Sequence, residues 1–343
     1  MDRRQFITNS AVALGSFASV ERAGLASAQE QGVAPSDAAP GTIGRPVRIV
    51  SLGFHNNQPL EVIRDLVDTE AAKGVDLVAL PELWRGHEAA ETLDGPATQA
   101  MSALARKHHT YIASPIGRMD GNRHFNSAVL LDRSGKVVFV YDDVFPSEFD
   151  HRAKLDVGNS VSVYQADFGR IGFAICFDVN FPDVWKSLAD QGAELVLWPS
   201  AYTGGSSVQA HALTYHYYIV SSSLACDCTV FDITGEQIHY QKSDGINASH
   251  LTLDLDRGIY HNDMNIPKRA RLLREHPNDV QLAEHLDREG WFVLQARRPG
   301  ASARALARQY EIEELRDYIN RSRRELDAMR GWPFGEKAPA PRG

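Results

Sequence analysis

A layered α/β domain with a mixed sheet is the fold class this sequence predicts, and three observations predict it. Short apolar runs such as residues 47–54 (VRIVSLGF) and 75–80 (VDLVAL) alternate with segments whose apolar residues recur at helical spacing. A turn signal, Asp132-Arg133-Ser134-Gly135-Lys136, joins two strand-like runs and so mixes an antiparallel hairpin into the alternation. The composition is that of an ordinary globular chain, 343 residues with 43% hydrophobic and 23% charged. That length buries a large core and allows one large domain or two small ones.

Taken in order, the chain opens with segments that are not fold. The paired Arg3-Arg4 precedes a modest apolar region over 11–20 and an A-x-A pattern, Ala26-Ser27-Ala28. Residues 1–28 therefore resemble a twin-arginine export signal, which predicts a periplasmic or otherwise exported protein. Residues 29–45, rich in Ala, Gly, Pro, Ser and Asp, read as a linker. The net charge of -8 argues against a nucleic-acid partner. No later stretch is long and apolar enough to span a membrane.

The strand at 47–54 is followed by an amphipathic helix over 59–72, with Leu60, Ile63, Leu66 and Val67 on one face and Gly74 as its stop. A second strand, 75–80, runs into Pro81-Glu82-Leu83-Trp84. A helix over 97–108 and a strand over 110–117 come next. The hairpin pairs 125–131 with 137–141, and a loop covers 142–160. Strands at 161–166 and 169–176 lead to a helix over 182–191. The strand ending at Trp198, a helix over 207–216, and strands at 218–224, 229–233 and 250–255 complete the core. From 263 to 343 the chain is charged and reads as a helical extension, with Ile312, Leu315, Ile319, Leu326 and Met329 at helical spacing.

Chemistry collects where three of these strands end. Cys176 closes the apolar run ending Ile175-Cys176-Phe177-Asp178, just ahead of a helical pattern whose N–H groups and dipole favour a thiolate. On position alone, a buried packing cysteine is the alternative. Glu82 ends one buried strand, and Asp142-Asp143 end the hairpin. Functional groups gather at the carboxyl ends of strands in layered α/β sheets, and a carboxylate beside a thiol can serve as its base. The remaining two cysteines, Cys226 and Cys228, are too few to form a zinc site and read as packing on one strand face. No GxGxxG or Walker motif supports nucleotide binding.

With ALPELW around Glu82, FNSAVLLDRSGKVV before the loop, FGRIGFAICFDVNFPDVWKSLADQGAELVLWPSA around Cys176, and HALTYHYYIVSS after it, residues 47–255 resemble the nitrilase superfamily, the carbon–nitrogen hydrolases. The resemblance implies a four-layer α-β-β-α sandwich over residues 46–262, assembled as a homodimer or larger homo-oligomer. It implies hydrolysis of a small amide or nitrile through a Cys176 thioester, with Glu82 as general base and no metal or organic cofactor. The Phe177 N–H would help hold the oxyanion. Glu148, in FPSEFD, resembles a substrate-orienting glutamate of some members, and Tyr202 lies in a segment expected to shape the pocket.

One position departs from the pattern. The family's lysine belongs where Tyr141-Asp142-Asp143 places Asp143. Lys154 is the nearest other candidate for that ammonium, in the following loop. An aspartate beside Glu82 would share a proton with it, and a protonated Asp143 could donate to the oxyanion with an acid-shifted optimum. A binding or scaffold protein that has lost catalysis is the alternative reading.

Overall fold

In the computed structural model, residues 42–336 are described. The export-signal reading of residues 1–28 lies outside them, as does most of the expected linker. The linker's last residues are anchored: Arg45 donates its backbone N–H to Asp254 at 2.8 Å and a guanidinium N–H to the Leu255 carbonyl at 2.7 Å.

Two six-stranded sheets make the body of the fold. The first contains β1 (Pro46–Gly53), β2 (Leu77–Ala79), β3 (Tyr111–Asp120), β4 (Arg123–Leu131), β5 (Val137–Asp142) and β12 (Asn247–Asp254), in the order β12-β1-β2-β3-β4-β5. The second contains β6 (Val163–Gln165), β7 (Arg170–Phe173), β8 (Leu195–Ser200), β9 (Tyr218–Ser223), β10 (Asp227–Phe231) and β11 (Gln237–Lys242), in the order β11-β10-β9-β8-β7-β6. Within each sheet, parallel pairs sit in the middle and antiparallel pairs at the edges.

The sheets face each other. Val47, Ile49, Leu77, Ala113 and Leu130 of the first pack against Ile171, Phe173, Leu197, Val220 and Val230 of the second. Both faces of the central strands are buried, which is why they read as unbroken apolar runs. The outer face of the first sheet is covered by α1 (Leu60–Ala71) and α2 (Pro96–His108), through Ile63, Val67, Met101 and Leu104. The outer face of the second is covered by α4 (Pro182–Asp190) and α5 (Ser206–Tyr215), through Val184, Trp185, Leu188 and Val208. The layers are therefore α-β-β-α, as expected. The short α3 (Glu148–Arg152) lies in the loop after β5.

The C-terminal extension differs from the helical expectation. It holds a three-stranded antiparallel sheet of β13 (Gly258–His261), β14 (Val280–Leu286) and β15 (Trp291–Ala296), with α6 (Ile266–Glu275), α7 (Ala303–Gln309) and α8 (Leu315–Arg330). The sheet forms because β15 has two buried faces. Phe292 and Leu294 join a satellite core with Tyr260 and Leu272, while Val293 reaches the inter-sheet core. The boundary expected at 262 consequently falls inside this sheet's territory, after β13. The shared strand face expected for the two cysteines is also not seen. Cys228 sits in β10 and fills the inter-sheet core, whereas Cys226 occupies a turn at φ 61° before the strand.

Candidate active site

Four strand ends converge between the sheets. β2 delivers Glu82, β5 delivers Asp143, β7 delivers Cys176 and β8 delivers Ala201 and Tyr202. β5 runs in the same direction as β2 because two antiparallel steps separate it from the parallel β2–β3 pair. Glu82 and Asp143 thus emerge at one edge of the first sheet, facing the cysteine of the second.

Cys176 is held in an unusual backbone conformation. Its φ is 37°, a region that side chains bearing Cβ enter only when the surroundings over-determine it. Trp198 Nε1 donates to the Cys176 carbonyl at 3.2 Å, and Trp185 Nε1 donates to the Asp178 carbonyl at 3.0 Å. Asp178 Oδ2 accepts the Ile175 N–H at 2.8 Å, tying the residue before the cysteine to the turn after it. The result aims the sulfur back into the space between the sheets, where Cys176 packs among inter-sheet residues. The segment from Cys176 to Asn180 is a five-residue 3-10 turn, and the expected thiolate preference is not present. Burial first, then the Glu82 charge, pushes the Cys176 thiol well up, so the resting sulfur carries its proton.

Glu82 is buried and lies at 5% exposure. Its Oε1 accepts from Asn126 Nδ2 at 2.8 Å. The Cys176 thiol and the Ala201 N–H lie against the carboxylate, yet Oε2 closes no hydrogen bond. Burial, with help from the Asp150 charge, raises Glu82 to about 7. A carboxylate poised near neutrality beside a thiol suits a general base.

Asp143 stands where the sequence places it, at 1% exposure. Its N–H donates to the Asn126 carbonyl at 2.9 Å, and its carbonyl accepts from the Gly158 N–H at 2.7 Å. Its Oδ1 accepts from the Phe145 N–H at 3.1 Å and its Oδ2 has no partner. Burial first, and then the charges of Asp178, Glu82 and Asp150, hold Asp143 well above the usual carboxylate range. Asp178 is raised by burial too, but the Tyr141 hydroxyl at 2.6 Å and the Ile175 and Phe145 N–H groups favour its anion. Asp143 is therefore the protonated member of that pair.

The other expected site residues divide. Phe177 follows the nucleophile and is 39% exposed, edge-on to Phe181. Tyr202 meets Trp198 edge-on, and its phenol is raised by burial and by the charges of Cys176 and Glu82, which puts it at the rim of the site. Glu148 points away: it is exposed and ion-paired with Arg152 at 2.6 Å. Asp150, two residues on, turns inward instead. It is the inner carboxylate of a capping box in which Ser147 N–H and Oγ donate to its Oδ2 at 3.0 and 2.6 Å. Sequence reasoning missed it, although Ser147-x-x-Asp150 is a helix-start signature. Asn126 was missed as well, being hidden in a strand. Lys154 is exposed at φ 61° and supplies no ammonium to the site.

A model of the carbon-nitrogen hydrolase family matches residues 54–247. The chain belongs to that family. Omega-amidase NIT2 of Homo sapiens is 23% identical over 236 residues, covering 60% of this chain and 83% of its own. Omega-amidase NIT2-B of Xenopus laevis is 24% identical over 206 residues, covering 55% and 72% respectively. Among solved structures, Nit3 of Saccharomyces cerevisiae, from the nitrilase superfamily, superposes with a TM-score of 0.55 at 18% identity, over 62% of this chain and 91% of that one. An amidase from Nesterenkonia sp. superposes at 0.53 with 20% identity, over 63% and 92%. A mutant of that amidase, at 19% identity, TM-score 0.53 and coverage of 62% and 93%, carries an acetamide moiety covalently added at its active-site cysteine. These structures share the carbon–nitrogen hydrolase fold, and the family's chemistry is hydrolysis of amide-type bonds.

Proposed function

We propose that this carbon–nitrogen hydrolase cleaves a small non-peptide C–N bond with Cys176 as nucleophile and Glu82 as base. The observation that carries the reading is the buried Cys176 thiol, set on a strained turn against a Glu82 carboxylate raised to about 7. Because the resting sulfur is a thiol, attack and proton transfer to Glu82 occur together. Glu82 then returns the proton to the departing nitrogen, and water, deprotonated by the same carboxylate, releases the Cys176 thioester. The Phe177 N–H and the neutral Asp143 carboxyl are the donors proposed for the oxyanion, and Tyr202 lines the mouth. The covalent adduct on the cysteine of the Nesterenkonia amidase supports the nucleophile assignment.

A binding protein that has lost turnover is the second reading, favoured by the acidic residue at 143. Ammonia release decides between them, measured on a panel of small amides and nitriles for the parent, Cys176→Ala and Asp143→Lys. The hydrolase reading expects parental turnover that falls at least about 1,000-fold in Cys176→Ala. A silent parent, with Cys176-dependent activity gained in Asp143→Lys, would establish the second reading.

A further inference from the structure

Glu82, Asp143 and Asp150 bring one carboxylate oxygen each within 4.8 Å of one another, and all three residues are buried. No arginine or lysine among the described residues pairs with any of them. The nearest basic atom is His87 Nε2, 3.8 Å from Asp150 Oδ1. Three acids gathered away from water without a counter-charge are costly. Independently of that cluster, Asn126 presents an unmet acceptor. It is 1% exposed, its Nδ2 is spent on Glu82, and its Oδ1 has no donor. Glu82 Oε2 and Asp143 Oδ2 likewise close no hydrogen bond, although the Cys176 thiol and Ala201 N–H lie against Glu82 and Asp143 faces Asp178. Three buried oxygens, Glu82 Oε2, Asp143 Oδ2 and Asn126 Oδ1, thus stand without a donor beside the sulfur of Cys176.

We propose that this acceptor set binds the cationic C–N centre of an amidine or guanidine, so that Cys176 attacks an amidinium-type carbon rather than a neutral amide. This deepens the hydrolase reading and rests on it. A neutral amide brings N–H donors on its one nitrogen only, an acceptor oxygen in place of the second, and no positive charge to offset the carboxylates. An amidinium is planar, carries N–H donors on both heteroatoms, and pairs with carboxylates through parallel hydrogen bonds. A resident divalent ion would occupy the Glu82 lone pairs and remove the base, so an organic cation fits the chemistry better. Burial favours the protonated forms of Glu82 and Asp143, and the charge of a cationic substrate replaces those protons.

The step balances. Sulfur bonds to the amidinium carbon as the Cys176 proton passes to Glu82. Glu82 returns that proton to one nitrogen, the C–N bond breaks, and ammonia leaves. Water adds to the remaining thioimidate carbon, its proton going to Glu82. The C–S bond breaks as Glu82 returns its proton to the sulfur, the added hydroxyl gives its proton to the ammonia already released, and an amide, or urea from guanidine, remains. The substrate's positive charge departs as ammonium.

The test pairs acetamidine with acetamide, benzamidine with benzamide, and guanidine with urea. Ammonia release is followed for the parent and Asp143→Lys. Binding of the same compounds and of Mg2+, Ca2+ and Zn2+ is measured by calorimetry on Cys176→Ala, with and without Asp143→Asn or Asp150→Asn. Thermal melts verify that each variant is folded. The proposal expects kcat/KM at least tenfold higher for the cation of a pair, and reversal of that preference in Asp143→Lys. It also expects amidinium binding weakened more than tenfold by either asparagine variant, and weakened more than binding of the matched amide. Cys176-dependent turnover that prefers the neutral amides overturns it and leaves the hydrolase reading standing. Divalent-ion binding with the same Asp143 dependence, and no amidinium preference, also overturns it. No turnover at all, with Asp143-dependent amidinium binding retained, sinks the hydrolase reading and keeps the cation site.

Discussion

Glu82, as the proposed base, joins function to stability at a single carboxyl. Its value of about 7 in the fold, against an ordinary glutamate in the unfolded chain, means that the native state binds the extra proton between about pH 4 and 7. Stability from this group is present at low pH and is lost as pH rises through that window. Glu82→Gln should therefore flatten the fall in unfolding free energy between pH 5 and 8 and gain roughly 1–3 kcal/mol at pH 8, while turnover disappears. Chemical denaturation at the two pH values measures this, and an unchanged slope would refute it. In the proposed mechanism catalysis runs the other way, since only the carboxylate accepts the thiol proton. The acid limb of kcat/KM should rise through about 7, not in the acid range that a proton shared with Asp143 had suggested. The difference arises because burial raises both acids, and the more easily ionised one sets the limb.

The termini of β5 and β7 decide where the reactive groups stand. Gly158 is present because the chain passes too close to β5 for any side chain. A Cβ there would meet the Asp142 carbonyl oxygen at 2.1 Å and that of Asp143 at 2.9 Å. Gly158→Ala should cost roughly 1–3 kcal/mol in urea titration. It should also lower kcat/KM by up to about 100-fold, because Asp143 must shift. Wild-type activity in that variant would show that the position of Asp143 is immaterial. Element existence was largely readable here: α1, α2, α4, α5 and the central strands lie within a few residues of where apolar periodicity put them. Orientation was not. Glu148 and Asp150 share one five-residue helix, and which of them turns inward depends on the Ser147 capping box. Periodicity over so short a segment carries no such information.

At the scale of the whole molecule, the C-terminal sheet is part of the sandwich. Phe292 is fully buried in the satellite core while neighbouring Val293 sits in the inter-sheet core. Phe292→Ala should cost about 3–5 kcal/mol. It should still unfold in one transition by both tryptophan fluorescence and far-ultraviolet circular dichroism. Two separated transitions would mean an independently folding extension. The N-terminal reading makes its own prediction. Joint Arg3→Lys and Arg4→Lys substitution should keep the chain in the cytoplasm of a bacterial host with twin-arginine export. An undiminished periplasmic fraction would reject that signal.

By itself the sequence determined the layered α/β class and the strand-end positions of Glu82, Asp143 and Cys176. Those are local properties: burial on both faces writes an apolar run, and a strand end is marked by the polar residue that follows it. Tertiary structure alone decided that Asp150 and Asn126 stand beside Glu82, that Glu148 points away, and that no ammonium among the described residues joins them. It also set the charge states, because the protonated Cys176 and Asp143 follow from groups remote in sequence that are buried together between two sheets.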